Sequence, residues 1–362
     1  MKTSLQSKIV PAGIITIIVL LIFVGAIIGS HEITMDEQLS SSPTPSLANS
    51  PSTLPPTATE RQLTSDFRDI NAISWSSDGE KIVYSDVKNI AIVNLHRDVL
   101  GKFDGRSPVW SPHEQTIAFI SSFGSPENRE GIVLFNTNNN RVTRLTDQNL
   151  FAFSPSWNSD GEKLIFTMGK DPNDASVPFQ IWTMDRNGNG KKQLTIDYYP
   201  KSSLGFSPDG SKILYSISVQ DTSYAYHNEL WIMDANGGKQ QFLEIYEPRA
   251  VAWSPDGSRI LVKGSDRKDK AGILILNSDG TDVQKVTDGE DPNWSPDGSK
   301  IAYEYKDDIW MMDSDGTNKV QLTEGKDGDG IPVWSPDGKK IAFSRNNGDT
   351  LFTDESLWLL EF

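Results

Sequence analysis

Carboxylates are the reactive groups this sequence has in quantity. Cysteine is absent and histidine occurs four times, as His31, His96, His113 and His227. Thiolate nucleophiles, disulfides and Cys-based zinc sites are therefore excluded. No G-x-S-x-G nucleophile elbow occurs; the nearest string, Gly205-Phe-Ser207-Pro-Asp209, belongs to a recurring turn. His113-Glu114-Gln-Thr-Ile117 lacks the second histidine of an H-E-x-x-H zinc site, and there is no P-loop or dinucleotide fingerprint. Asp185, Asn187 and Asn189 place oxygens at alternate positions, as in the opening of an EF-hand loop, and are the one Ca²⁺ candidate. The twelfth position, however, is Ile196 where a bidentate Glu is needed. The same register is filled by Asp234-Ala-Asn-Gly237, Asn277-Ser-Asp-Gly280 and Asp313-Ser-Asp-Gly316, so a hairpin turn is the preferred reading and no cofactor is expected.

The charge balance limits the partners. Lys and Arg number 34 against 49 Asp and Glu, a formal net charge of −15 over 362 residues. Such a surface repels phosphate backbones, and nucleic acid is not an expected partner. Residues 1–59 contribute only −1 of this, so the acidity belongs to residues 60–362.

Residues 60–362 are one unit repeated seven times. Trp253-Ser-Pro-Asp-Gly257, Trp294-Ser-Pro-Asp-Gly298 and Trp334-Ser-Pro-Asp-Gly338 are identical; Phe206-Ser-Pro-Asp-Gly210 differs only in its aromatic residue. Weaker copies begin at Trp75, Trp110 and Trp157. The spacing averages about 43 residues, the length of a four-stranded propeller blade. Pro presets φ in the first central position of a type I turn, Asp suits the second, and Gly accepts the positive φ that comes next. After each turn come a β-rich run such as Lys300-Ile-Ala-Tyr303, a second such as Ile309-Trp-Met-Met312, a polar hairpin, and a strand ending like Gln321-Leu-Thr323. The ten Trp recur at two repeat positions, which assigns them to packing between blades. The last repeat lacks its final strand, while Arg61-Gln-Leu-Thr64 stands ahead of the first without a blade. A ring spanning residues 60–362, closed by residues 60–64, hides the edges that an open array would expose.

These motifs, aromatic-Ser-Pro-Asp-Gly, Lys-Ile-Ala-Phe/Tyr-Ser, Ile-Trp-Met-Met-Asp and Gln-Leu-Thr, resemble the WD-like repeats of TolB-type propellers. Similar repeats occur in the propeller domains of prolyl oligopeptidase relatives and the tricorn protease. The resemblance implies an all-β fold, here a seven-bladed β-propeller. TolB itself has six blades and a separate α/β domain, so its scaffold role does not transfer. The prolyl oligopeptidase arrangement needs an α/β catalytic domain for which residues 60–362 leave no space. Some lyases on seven-bladed propellers use clustered metal-binding histidines, for which the three within residues 60–362, His96, His113 and His227, are too few.

Residues 9–29, IVPAGIITIIVLLIFVGAIIG, carry no charge and match a ~30 Å hydrocarbon core in length as a helix. Lys2 and Lys8 precede them and Glu32, Asp36 and Glu37 come after, which places residues 1–8 in the cytoplasm and the rest outside. A single-pass signal anchor is preferred over a cleavable signal peptide because the apolar run is long. Residues 30–59 read as a disordered Ser/Thr/Pro-rich stalk.

In an antiparallel meander the first-to-second and third-to-fourth turns share one face, here the turn face. The second-to-third loops and inter-blade connections share the other, the loop face. Insertions concentrate on the loop face, at 121–130, 169–179, 218–229 and 345–355. Insertions on one face commonly mark a binding surface. The candidate ligand residues there are Phe179, Tyr224, Tyr226, His227, Asp288, Glu290, Asp291, Glu324, Asp327 and Asp329. The expectation is a membrane-anchored extracytoplasmic propeller that binds a protein or a cell-surface glycan and is not an enzyme. The alternative is a glycan- or peptide-acting hydrolase or lyase using channel carboxylates, since paired Asp/Glu chemistry leaves no spacing signature on a ring.

Overall fold

The computed structural model describes residues 58–65, 67–171, 178–220, 225–268, 270–324, 328–346 and 354–362. The apolar run 9–29, nearly all of the Ser/Thr/Pro segment, Tyr224 and Asp327 lie outside these residues. The described residues belong to one compact unit, Ser50–Phe362, distinct from Met1–Asn49. Among them no helix is long and apolar enough to cross a membrane.

The fold is all-β and propeller-like. Antiparallel meanders succeed one another, beginning with Ala72–Trp75, Lys81–Ser85, Asn89–Asn94 and Val99–Asp104. One long strand, Gln241–Trp253, leaves the outer edge of one meander and becomes the inner edge of the next, fusing the two into a seven-stranded sheet. In the last sheet Asp329–Trp334, Lys340–Asn346 and Asp354–Glu361 are completed by Thr59–Gln62, with Glu60 opposite Leu360. The first strands of successive meanders pack on one another, and Asp329–Trp334 packs on Ala72–Trp75. Trp75 Nε1 donates to the Val333 carbonyl at 3.0 Å across that junction.

Burial explains why the repeat is written as it is. The fourth residue of each post-turn run is Tyr84, Phe119, Phe166, Tyr215, Val262, Tyr303 or Phe343, each at most 2% exposed. These side chains fill clusters that bridge neighbouring sheets, as where Val83, Ile90 and Ile92 meet Trp110, Ile117 and Phe119. The Ser-Pro-Asp-Gly turns are pinned by side chains: Ser254 Oγ donates to Asp256 Oδ1 at 2.6 Å and accepts from the Arg259 amide at 2.9 Å. Gly257 sits at φ 71°, where a Cβ would be strained.

A second device matters more for chemistry. Just before the aromatic residue of most inner strands the pairing register shifts, as at Arg106/Val109, Phe153/Ser156, Glu290/Asn293 and Gly330/Val333. The residue three before each Trp then has positive φ: Ser107, Ser154, Ala250, Asp291 and Ile331. Such bulges bend the strand and re-aim a side chain. In one meander the bulged residue is an aspartate.

Candidate active site

Asp291 lies in the inner strand Glu290–Trp294, and Glu304 lies in its neighbour Lys300–Tyr305. Glu290 is the direct cross-strand partner of Glu304. Like charges so opposed are destabilising unless one is neutralised or protonated. Both occur here. Lys263, from the adjacent strand Arg259–Ser265, pairs with Glu290 and donates to the Gly289 carbonyl at 2.9 Å. Burial, then the charges of Asp291, Glu290 and Asp307, push the Glu304 carboxyl up to about 7, against the opposing pull of Lys263. Asp291, half-buried, is also raised, by burial first and by Glu290 second; Lys263 and Arg249 oppose.

Space around Glu304 is made by glycine. A Cβ on Gly330, in the next inner strand, would stand 2.9 Å from Glu304 Oε2. A Cβ on Gly289 would stand 2.6 Å from the Glu304 carbonyl oxygen. The loop above is minimal, because Tyr305 and Asp308 pair directly around Lys306 and Asp307, both at positive φ. No insertion rises from this hairpin to cover the carboxylates. The arrangement offers a carboxylic acid still protonated near neutrality beside a carboxylate held by a lysine, the pair needed for acid–base chemistry.

Of the other candidates, Asp288 is exposed and paired with Lys285 at 2.6 Å. Glu324 is exposed. Asp329 is buried, and Arg345 clamps it through Nε at 2.6 Å and Nη2 at 2.7 Å while Nη1 reaches Glu60 at 2.8 Å. Asp329 thus ties the closing strand to the inner strand. Phe179 packs on Phe153 with ring centroids 5.1 Å apart and is part of its own meander's packing. His227 Nε2 lies 3.1 Å from Glu229 Oε1, and its ring is 5.9 Å from Tyr246. Tyr226 is 69% exposed. Only Glu290 and Asp291 join the cluster around Glu304.

Glu304 and Lys263 escaped the sequence reading, although a signal exists. The fifth residue of the post-turn run is Ser85, Ile120, Thr167, Ser216, Lys263, Glu304 and Ser344 in turn. Two adjacent repeats replace a small or neutral residue with opposite charges. Aligning the copies by register exposes them; counting motifs does not.

The Asp185 loop is a hairpin. Asp185 Oδ1 accepts from the amides of Asn187 at 2.9 Å and Asn189 at 2.8 Å, so it serves its own backbone. Among the described residues no three His, Cys, Asp or Glu are grouped so as to hold a metal ion.

Comparison with known proteins extends this. The TolB beta propeller domain family matches residues 58–244. The curated relative "Uncharacterized peptidase YuxL" of Bacillus subtilis is 24% identical over 160 residues, 34% of this chain; the chain spans only 23% of that protein's length. An oligogalacturonate lyase from Vibrio parahaemolyticus superposes with a TM-score of 0.64 at 13% identity, covering 83% of this chain and 93% of its own. A structure of oligogalacturonate lyase in complex with manganese gives 0.62 at 13%, covering 85% and 91%. Pyrococcus horikoshii acylaminoacyl peptidase gives 0.59 at 14%, covering 81% and 51%. Among the described residues His96 lies in a hairpin, His113 in a turn, and His227 has one carboxylate, Glu229, at 3.1 Å, so no set of three ligands that would fit a manganese ion is gathered around a histidine. The expectation that the chain is not an enzyme is corrected here, because the named proteins it is similar to are a peptidase, lyases and an acylaminoacyl peptidase. That expectation rested on missing nucleophile and metal motifs, which carboxylate catalysis does not need. With the family match covering more than half of its length, the chain belongs to the TolB β-propeller domain family.

Proposed function

We propose that this propeller is a glycan-acting hydrolase whose acid and base are Glu304 and Glu290. The observation that carries the reading is the cross-strand pair itself, one carboxyl pushed up to about 7 and the other held by Lys263. In the reaction Glu304 gives its proton to the departing glycosidic oxygen. Glu290 takes a proton from the water that adds to the sugar carbon, and exchange with solvent restores both groups. Asp291, aimed by its bulge, adds the charge that keeps Glu304 protonated.

The excess of carboxylates favours neutral or amine-bearing sugars. Oligogalacturonate, the polyanion named for the lyases of similar fold, would be repelled. We further infer seven blades, a reading supported by seven repeat motifs and by seven first strands that pack in succession. A position outside the cell membrane, tethered through residues 9–29 and the Ser/Thr/Pro stalk, is supported by the charge asymmetry around the apolar run. A second reading, peptide cleavage, draws on the peptidase relatives and is tested alongside. The full chain is incubated with neutral, amine-bearing and uronate oligosaccharides and with peptides, monitoring reducing ends, unsaturated sugar and free amines. Cleavage of neutral or amine-bearing sugars that Glu304→Gln abolishes supports the reading; cleavage of peptides alone, or cleavage indifferent to Glu304→Gln, overturns it.

A further inference from the structure

The connection from the third meander to the fourth, Leu194-Thr-Ile-Asp-Tyr-Tyr-Pro200, differs from its counterparts. At this point the second, fifth and sixth meanders carry Asp147-Gln-Asn149, Asp288-Gly289 and Glu324, and the fourth carries Ile245-Tyr246, of which Ile245 is buried. Here Ile196 is 89% exposed, Tyr198 83% and Tyr199 43%. Three large apolar side chains are therefore exposed within one short loop.

The loop is built to display them. Lys201 has a fully buried side chain and spends its ammonium on the loop itself, pairing with Asp197 and donating to the Tyr199 carbonyl at 2.7 Å. Buried Gln180 donates to the Asp197 carbonyl at 2.7 Å and accepts from Thr195 Oγ1 at 2.8 Å. The Tyr199 amide donates to Asp197 Oδ1 at 3.0 Å. Burying a lysine and a glutamine costs free energy unless every group is bonded, and here both are bonded to fix one loop conformation. The Ser218 amide donates to the Pro200 carbonyl at 3.0 Å, which ties the loop to the hairpin carrying exposed Tyr226. Aromatic rings on two tied segments therefore stand on the loop face, the face that also carries Glu290 and Glu304.

We propose that Ile196, Tyr198 and Tyr226 form a preorganised platform on which a neutral glycan chain stacks, an inference that rests on the glycan-hydrolase reading. Sugar rings offer apolar C–H faces to aromatic rings and hydroxyls to phenols, which suits amphipathic tyrosine better than an aliphatic groove would. The acidity of the molecule disfavours a polyanion.

The test uses the full chain in detergent and hexasaccharides of β-1,4-linked N-acetylglucosamine, glucose and mannose, with phosphatidylcholine vesicles as a separate arm. Expected is saturable binding of at least one hexasaccharide, weakened about tenfold or more in both Tyr198→Ala and Tyr226→Ala with unchanged melting temperature. Measured in the Glu304→Gln background, where cleavage is blocked, the same loss in the two tyrosine variants is expected, which separates this site from the catalytic proposal. Failure of all three sugars to bind, equal binding by the tyrosine variants, or vesicle binding that those variants lose would overturn the proposal.

Discussion

Glu304 holds its proton because burial and three neighbouring carboxylates oppose ionisation more strongly than Lys263 favours it. The consequence for stability has a definite sign. Its carboxyl titrates at about 7 in the fold against 4.5 when unfolded, so its contribution is complete below 4.5 and is lost as pH rises through about 7. Glu304→Gln should therefore stabilise the protein above that range by about 1–2 kcal/mol, a figure reduced for partial access to water, and leave it unchanged in mild acid. Urea unfolding on both sides of the range checks this. The turn aspartates behave oppositely. Asp256 is lowered to about 2, first by the Ser254 hydroxyl and then by the Ser258 amide, so its contribution is present above 3.8 and lost as pH falls through about 2. Asp256→Asn should melt lower than wild type at neutral pH, and the gap should close in strong acid. The turn was readable from Ser-Pro-Asp-Gly alone, because its chemistry is local. The elevated Glu304 was not, because Asp291, Glu290 and Lys263 reach it from elsewhere in the sequence.

At the scale of strands, the bulges decide what faces the mouth. Simple alternation does not anticipate them, and only an X-Pro pair, as in Asp291-Pro292, hints at the interruption. The close approach of two inner strands is equally hidden until they are paired. In Gly330→Ala the added Cβ would stand 2.9 Å from Glu304 Oε2 and displace it, so activity should fall about tenfold or more while stability changes by less than about 1 kcal/mol. Parallel kinetic and melting measurements distinguish that from a general loss of packing. Arg345 works on another seam. Removing it in Arg345→Met leaves the buried Asp329 carboxylate unpaired, at a cost of about 3–5 kcal/mol, and frees Glu60 on the closing strand. Adding Asp329→Asn should recover part of that loss, as a double-mutant unfolding cycle would show.

For the whole molecule, repetition made the all-β propeller legible from motif spacing, since every repeat restates the same packing problem, and the motif residues carried the resemblance to TolB-type propellers. The proposed function was less legible because it rests on departures from the repeat: charges at Lys263 and Glu304 where other copies hold small or neutral residues, and exposed tyrosines at 198 and 199 where most copies hold polar ones. A net charge of −15, nearly all of it in residues 60–362, should make capture of amine-bearing substrates weaken as salt rises, seen as KM increasing with ionic strength while kcat holds. The most direct measurement is the pH dependence of reducing-end release from neutral and amine-bearing oligosaccharides by the full chain and by Glu304→Gln. The expected result is wild-type activity that declines above pH about 7 as Glu304 ionises, and at least a hundredfold lower activity in the folded variant. A variant that cleaves at the wild-type rate with the same pH profile would contradict the assignment of Glu304 as the acid.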